Sequence, residues 1–215
     1  MQTLYGKIPL QGLHFFLNAT IQHMEYWLST SPWPGVILWI MLYVSDYYLT
    51  IYSARGLKEI GHFQTEGSFE LTPQYQKDID ALKPVSKRHI ILLVLYSLVL
   101  LVLWWLFDRL FFFPWAYRLY LGMFLLIEVA VHIRHLRNVF IVREVKKNGG
   151  VDGQVKYRKW FSYKLSAAEL YVFGGLFLIV SLLAFSPFFL GGAIMCVGTG
   201  FKHNRLAKKA KLNSF

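Results

Sequence analysis

Two acids stand where acids are costly. Asp46 lies in an apolar run from Pro34 to Tyr52, and Glu128 in another from Tyr117 to Leu136. An ionisable side chain inside hydrocarbon is expensive enough that it marks an ion or substrate path unless a partner holds it. Asp46 is eleven residues from Gly35 and Glu128 eleven from Tyr117. At 1.5 Å per residue both are about 17 Å along their helices, so spans that start level would bring the two carboxyls to one depth. His132 and His135 follow Glu128 at i+4 and i+7, one helical face within roughly 60°.

Three chemistries suit that set. A histidine titrates near neutrality, so beside a buried acid it can pass protons; Asp46, Glu128, His132 and His135 then form a proton or cation relay. Glu128, His132 and His135 also offer oxygen and nitrogen to a divalent metal, with Asp46 as a fourth ligand. The paired Glu-x-x-His or His-x-x-x-His repeats of strong metal motifs are missing. The plainest reading is that these groups bond to each other between helices, each such bond being worth roughly 0.6 kcal/mol.

The elements that must position these residues are membrane helices. The chain of 215 residues is 55% hydrophobic and 16% charged, with a mean hydropathy of +0.39, which is wrong for a soluble domain of this size. A span takes about 20 residues. The expected fold is all-α, a polytopic bundle of five transmembrane helices at about 34–52, 89–107, 115–137, 165–185 and 188–201. Loops 53–88 and 138–164 join them, residues 1–32 precede them and a basic tail follows at 202–215. With five spans, Lys7, Arg109 and Arg118 are the three of 23 Lys and Arg that fall on one side. The positive-inside rule then sets the N-terminus outside and the C-terminus in the cytoplasm, with a bacterial-type inner membrane as the expected location.

The same bias accounts for the net charge of +11 without nucleic acid, since no folded basic domain is there to bind it. The expected partners are the bilayer, anionic headgroups on the cytoplasmic face, and either further copies of the chain or other membrane subunits. Arg134, Arg137, Lys156, Arg158 and Lys159 are the expected headgroup contacts. No resident cofactor is expected beyond that divalent metal.

Residues 10–28 place apolar side chains at helical spacing with Gln11, His14, Asn18, Gln22 and Glu25 between them, as in an amphipathic helix lying on the outer face. Ser166 and Glu169 have capping-box spacing and would start the fourth span. The segment from Val151 to Trp160 suits an exposed extended piece or small hairpin after a glycine turn. Gly192, Cys196 and Gly200 recur at i, i+4 and i+8, a face where helix backbones can approach closely, in this chain or against another copy. Gly191 and Gly198 also admit a broken, re-entrant last helix. Cys196 is the sole cysteine, so no intrachain disulfide forms.

Three functions follow from these residues. The first is a proton- or cation-linked transporter or channel, which with so few spans works as a homo-oligomer. The second is an accessory or assembly subunit of a larger membrane complex, its buried polar groups serving as interhelical bonds. The third is a metal-dependent membrane enzyme acting on lipid.

Overall fold

A computed structural model describes residues 10–212, the first eight of them as backbone only. Lys7 and the side chains of Gln11 and His14 therefore lie outside the described residues. The elements run α1 (Leu10–Ser29), α2 (Pro32–Ile60), β1 (Phe63–Thr65), α3 (Gln76–Asp80), α4 (Lys87–Trp104), α5 (Pro114–Asn148), β2 (Val155–Tyr157), α6 (Lys159–Ala184) and α7 (Pro187–Leu212). A π-helical turn, Trp105–Leu110, extends α4.

Local chemistry sets the helix ends. Proline opens α2 and α5, where its missing N–H leaves no bond unmade. Gly61 ends α2 at φ 70 in the left-handed region, donating to the Leu57 carbonyl, as an αL cap requires. Ser86 caps α4 by accepting from the His89 N–H. Among the described residues, four helices are long and apolar enough to cross a membrane: α2, α4 with its π turn, α5 and α6. The fifth expected span corresponds to α7, which is 26 residues long but turns basic from Lys202 onward. α7 continues as a helix through residues 202–212.

The core is built where α2, α5, α6 and α7 meet, around Trp39, Tyr117, Leu121, Leu125 and Cys196. α5 and α7 touch through their backbones: a Cβ at Gly122 would overlap the Phe188 carbonyl, and one at Gly191 the Leu119 carbonyl. Gly192 faces Leu126, Gly200 faces Tyr171, and Cys196 is fully buried. The small-residue face is thus taken up within the chain, and it is not a free contact for a second copy. α7 is also unbroken from Pro187 to Leu212, which is against a broken last helix. Gly191, Gly192 and Gly200 serve close approach to α5 and α6.

Two further expectations are corrected. Ser166 and Glu169 do not cap α6, which begins at Lys159. Ser166 instead meets Arg134 (2.7 Å) and His203 (3.0 Å), and Glu169 pairs with Arg137. The extended segment after the glycine turn forms no hairpin. β2 pairs in parallel with β1, Phe63 opposite Val155 and Thr65 opposite Tyr157, so the two interhelical loops join at one end of the bundle.

α1 buries Ile21 and Leu28, but it buries a polar residue with them. Glu25 is 1% exposed while Tyr26 and Trp27 are 59% and 60% exposed. Glu25 accepts a hydrogen bond from Ser186, and Gln22 donates to the Ala184 carbonyl at 3.0 Å. Polar groups turn inward here because the α6–α7 turn offers partners that an apolar surroundings cannot. Burial pushes the Glu25 carboxyl above its usual range, while the Ser186 hydroxyl and the nearby Arg118 pull it down. An acid whose folded value is raised stabilises the fold below its unfolded pKa and loses that contribution as pH rises through the folded value. Corrected for the base-catalysed rise in the intrinsic exchange rate, protection of the α1 amides is therefore expected to be greater at about pH 5 than at about pH 8, and Glu25→Gln is expected to remove that difference. Glu25→Ala should loosen α1 at both, by about 1–3 kcal/mol, because Ser186 loses its buried acceptor.

Candidate functional site

The α2–α5 crossing gathers the residues singled out by type. The two helices meet face to face here: Ser45 of α2 bonds His132 of α5 at 2.8 Å, and Thr50 bonds His135 at 3.1 Å. Asp46 lies between those two contacts. One ligand atom each from Asp46, Glu128 and His132 falls within 4.8 Å of the others. His135 approaches Asp46 from the far side, with Nε2 3.3 Å from Oδ1. That contact has ion-pair distance but lacks hydrogen-bond alignment, since Asp46 Oδ1 has no hydrogen-bond partner among the described residues. Glu128 Oε2 and His135 Nδ1 have none either.

The metal-type trio is therefore Asp46, Glu128 and His132, with His135 one step removed as a neighbour of Asp46. All three members are half-buried. His135 is 5% exposed. His132 Nδ1 donates to the Glu128 carbonyl at 2.7 Å, which leaves the Nε2 lone pair for Ser45 or for an ion. Tyr47 does not join the site. Its hydroxyl donates to the Lys83 carbonyl at 3.0 Å, and its ring packs against His89.

The basic residues divide. Arg134, expected at headgroups, turns into the bundle and donates to Ser166. Arg137 is half-exposed and paired with Glu169. Lys156 and Arg158 are exposed on β2 and the turn after it, and Lys159 opens α6 half-buried. A cavity of about 650 Å³ lies between α2, α5, α6 and the strand pair, lined in part by Arg134, His135, Arg137 and Glu169. His135 thus belongs to both places, lining the cavity on one side and touching Asp46 on the other.

Ser45 and Thr50 escaped the sequence reading. Their signal was present, since Thr50 follows Asp46 at i+4 and Ser45 precedes it. Isolated hydroxyls are common in membrane helices, where they bond back to their own helix. Both do so here as well, Ser45 to the Leu42 carbonyl and Thr50 to that of Asp46. The cavity left no sequence signal, because its walls come from six separate segments. Comparisons with protein-family models, curated proteins and solved structures return no match.

Proposed function

We propose that this helical membrane protein exchanges a cation, a proton or a divalent metal ion, at Asp46, Glu128 and His132, and that it moves the ion as a homo-oligomer. The observation that carries the reading is the closeness of those three ligand atoms, within 4.8 Å of one another between two apolar helices. Ligands about 2.1 Å from a shared ion lie at most about 4.2 Å apart, so a shift of roughly half an ångström would close the set around one. Two carboxylates and one imidazole suit zinc, manganese or iron. Without a metal, a proton held between the carboxylates meets the same need for positive charge.

Access supports exchange at one end. His135 links the trio to the cavity beside the strand pair, and the concentration of Lys and Arg supports a cytoplasmic position for that end. Toward the α1 end, the Trp39–Tyr117–Leu121 core closes the path. Passage across the bundle therefore requires a rearrangement or a neighbouring copy. α4 favours the latter: its most apolar stretch is 6% buried, against 33% for α2, α5 and α6. That leaves most of a helix for a second chain to cover.

The test is metal content and flux of the purified full chain. Equilibrium dialysis against Mn²⁺ or Zn²⁺ is expected to give one ion per chain, competed by protons, and vesicles carrying the protein should show ion-driven pH change. His132→Ala should abolish both. Neither binding nor flux in any oligomeric state would sink the proposal. The enzyme reading draws on a different observation, the ligand-sized cavity that shares His135 with the trio. Lipid turnover without vectorial flux would select it.

A further inference from the structure

One face of α7 changes from apolar to basic along its length. Ile194, Val197, Phe201, Arg205 and Lys208 stand at i, i+3, i+7, i+11 and i+14, a single stripe on a helix. All five side chains are exposed. Lys202 and Lys209 flank the basic end of the stripe and are exposed too. α7 contains no acid, and none of these four cations takes part in an ion pair among the described residues. Three other cations at this end of the bundle do have carboxylate partners: Lys83 pairs with Asp78, Arg137 with Glu169 and Lys146 with Glu59.

Contacts with α6 set the depth of the change. α6 is long and apolar enough to cross a membrane, and α7 packs on it in the opposite direction. An added Cβ at Gly174 would meet Val197, and one at Gly200 would meet Tyr171. His203 bonds Ser166 at 3.0 Å, and the Lys211 ammonium lies over the Trp160 ring, 5.4 Å from its centroid. The apolar run of α6 begins at Leu165, so α7 passes its edge between His203 and Lys211. Arg205 is four residues beyond Phe201 and Lys208 seven, about 6 and 10 Å along the axis at 1.5 Å per residue. The polar layer on either side of the hydrocarbon is about 5–8 Å thick. Arg205 falls inside it, and Lys208 reaches it through a flexible stem. Trp160 stands half-buried at the same level, as indole rings do at headgroup depth.

We propose that this stripe binds anionic phospholipid. Acyl chains lie along Ile194, Val197 and Phe201, and the headgroup phosphate meets Arg205 and Lys208 with Lys202 and Lys209 beside them. An acyl chain that ends in an anion matches both halves of the stripe. A soluble acidic protein would match the cations alone and leave their continuity with the apolar face unused. The contact takes the place of those expected at Arg134 and Arg137, which are turned to Ser166 and Glu169. It does not depend on ion exchange at Asp46, Glu128 and His132.

Electron spin resonance of spin-labelled lipids around the full chain in phosphatidylcholine bilayers tests it. Labelled phosphatidylglycerol is expected to associate about threefold more strongly than labelled phosphatidylcholine at low ionic strength, and added salt should shrink the difference. Lys202→Gln, Arg205→Gln, Lys208→Gln and Lys209→Gln combined should bring the two lipids close to equality. The control combines Arg55→Gln, Lys77→Gln, Arg143→Gln and Lys147→Gln, which remove the same charge from exposed positions off α7. Most of the preference should survive in it. Should the α7 variant fail to fold, Arg205→Gln with Lys208→Gln serves in its place, expected to lose about half of the preference. Equal affinity for the two lipids in the parent chain, or an α7 variant that loses no more than the control, overturns the proposal. Cations that serve an acidic soluble partner would give the first of those results.

Discussion

Alanine at Gly122 or Gly191 is expected to drive α5 and α7 apart and to lower bundle stability more than any other added methyl group. In both places the new Cβ would fall on a backbone carbonyl of the facing helix, Phe188 for Gly122 and Leu119 for Gly191. A crowded side chain can rotate away, but a carbonyl inside a helix moves only with the helix. Overpacking usually costs about 1–3 kcal/mol, and two rigid backbones put these sites at the upper end or beyond. Gly175 and Gly198 are the controls, because an added Cβ meets nothing within 4 Å at either. There alanine should be neutral or stabilising by about 0.5–1 kcal/mol through helix propensity. Unfolding midpoints in mixed detergent titrations measure all four. If Gly122→Ala unfolds like Gly198→Ala, the close α5–α7 contact is wrong.

Substitutions at the carboxylate pair should raise stability and abolish binding together. Asp46→Asn and Glu128→Gln each remove one of two neighbouring negative charges while keeping size. Each is expected to weaken divalent-ion binding at least 100-fold, about 2.8 kcal/mol at 1.4 kcal/mol per tenfold. In the metal-free protein each should unfold no earlier than the parent, because the amide takes the place of the proton that the two carboxyls otherwise share. The double variant should bind no worse than the weaker single one, since a ligand set broken once is already lost. Interhelical bonding alone predicts the opposite sign, with stability falling on each substitution and no ion bound at the start. A calorimetric ion titration and an unfolding curve on the four proteins decide between the two.

The candidate site was half legible. Asp46, Glu128, His132 and His135 stand out because charge in an apolar run is visible without neighbours, and the spacing of the last three fixes a common face. Which of them lie closest was not visible. Asp46 joins Glu128 and His132, whereas His135 is turned toward Thr50 and the cavity. That division depends on how far α5 is rotated against α2, and a residue pattern within one helix carries no record of the rotation. Arg134 shows the same limit. A basic residue near the end of a span reads as a headgroup contact, but rotation of α5 turned it toward Ser166.

By itself the sequence determined the membrane class, its helical apolar segments and the acid–histidine face. All of these rest on composition or on periods of a few residues, which act before the chain has any tertiary neighbours. Only the tertiary structure decided the rest. It turned Glu25 inward to Ser186, 161 residues away. It matched β2 with β1 from the other loop, and it gave Gly122 and Gly191 their carbonyl neighbours on the facing helices. Those outcomes depend on which helix faces which. In an apolar medium many arrangements of apolar surface are nearly equal in energy, so a few polar pairs and close backbone contacts select among them.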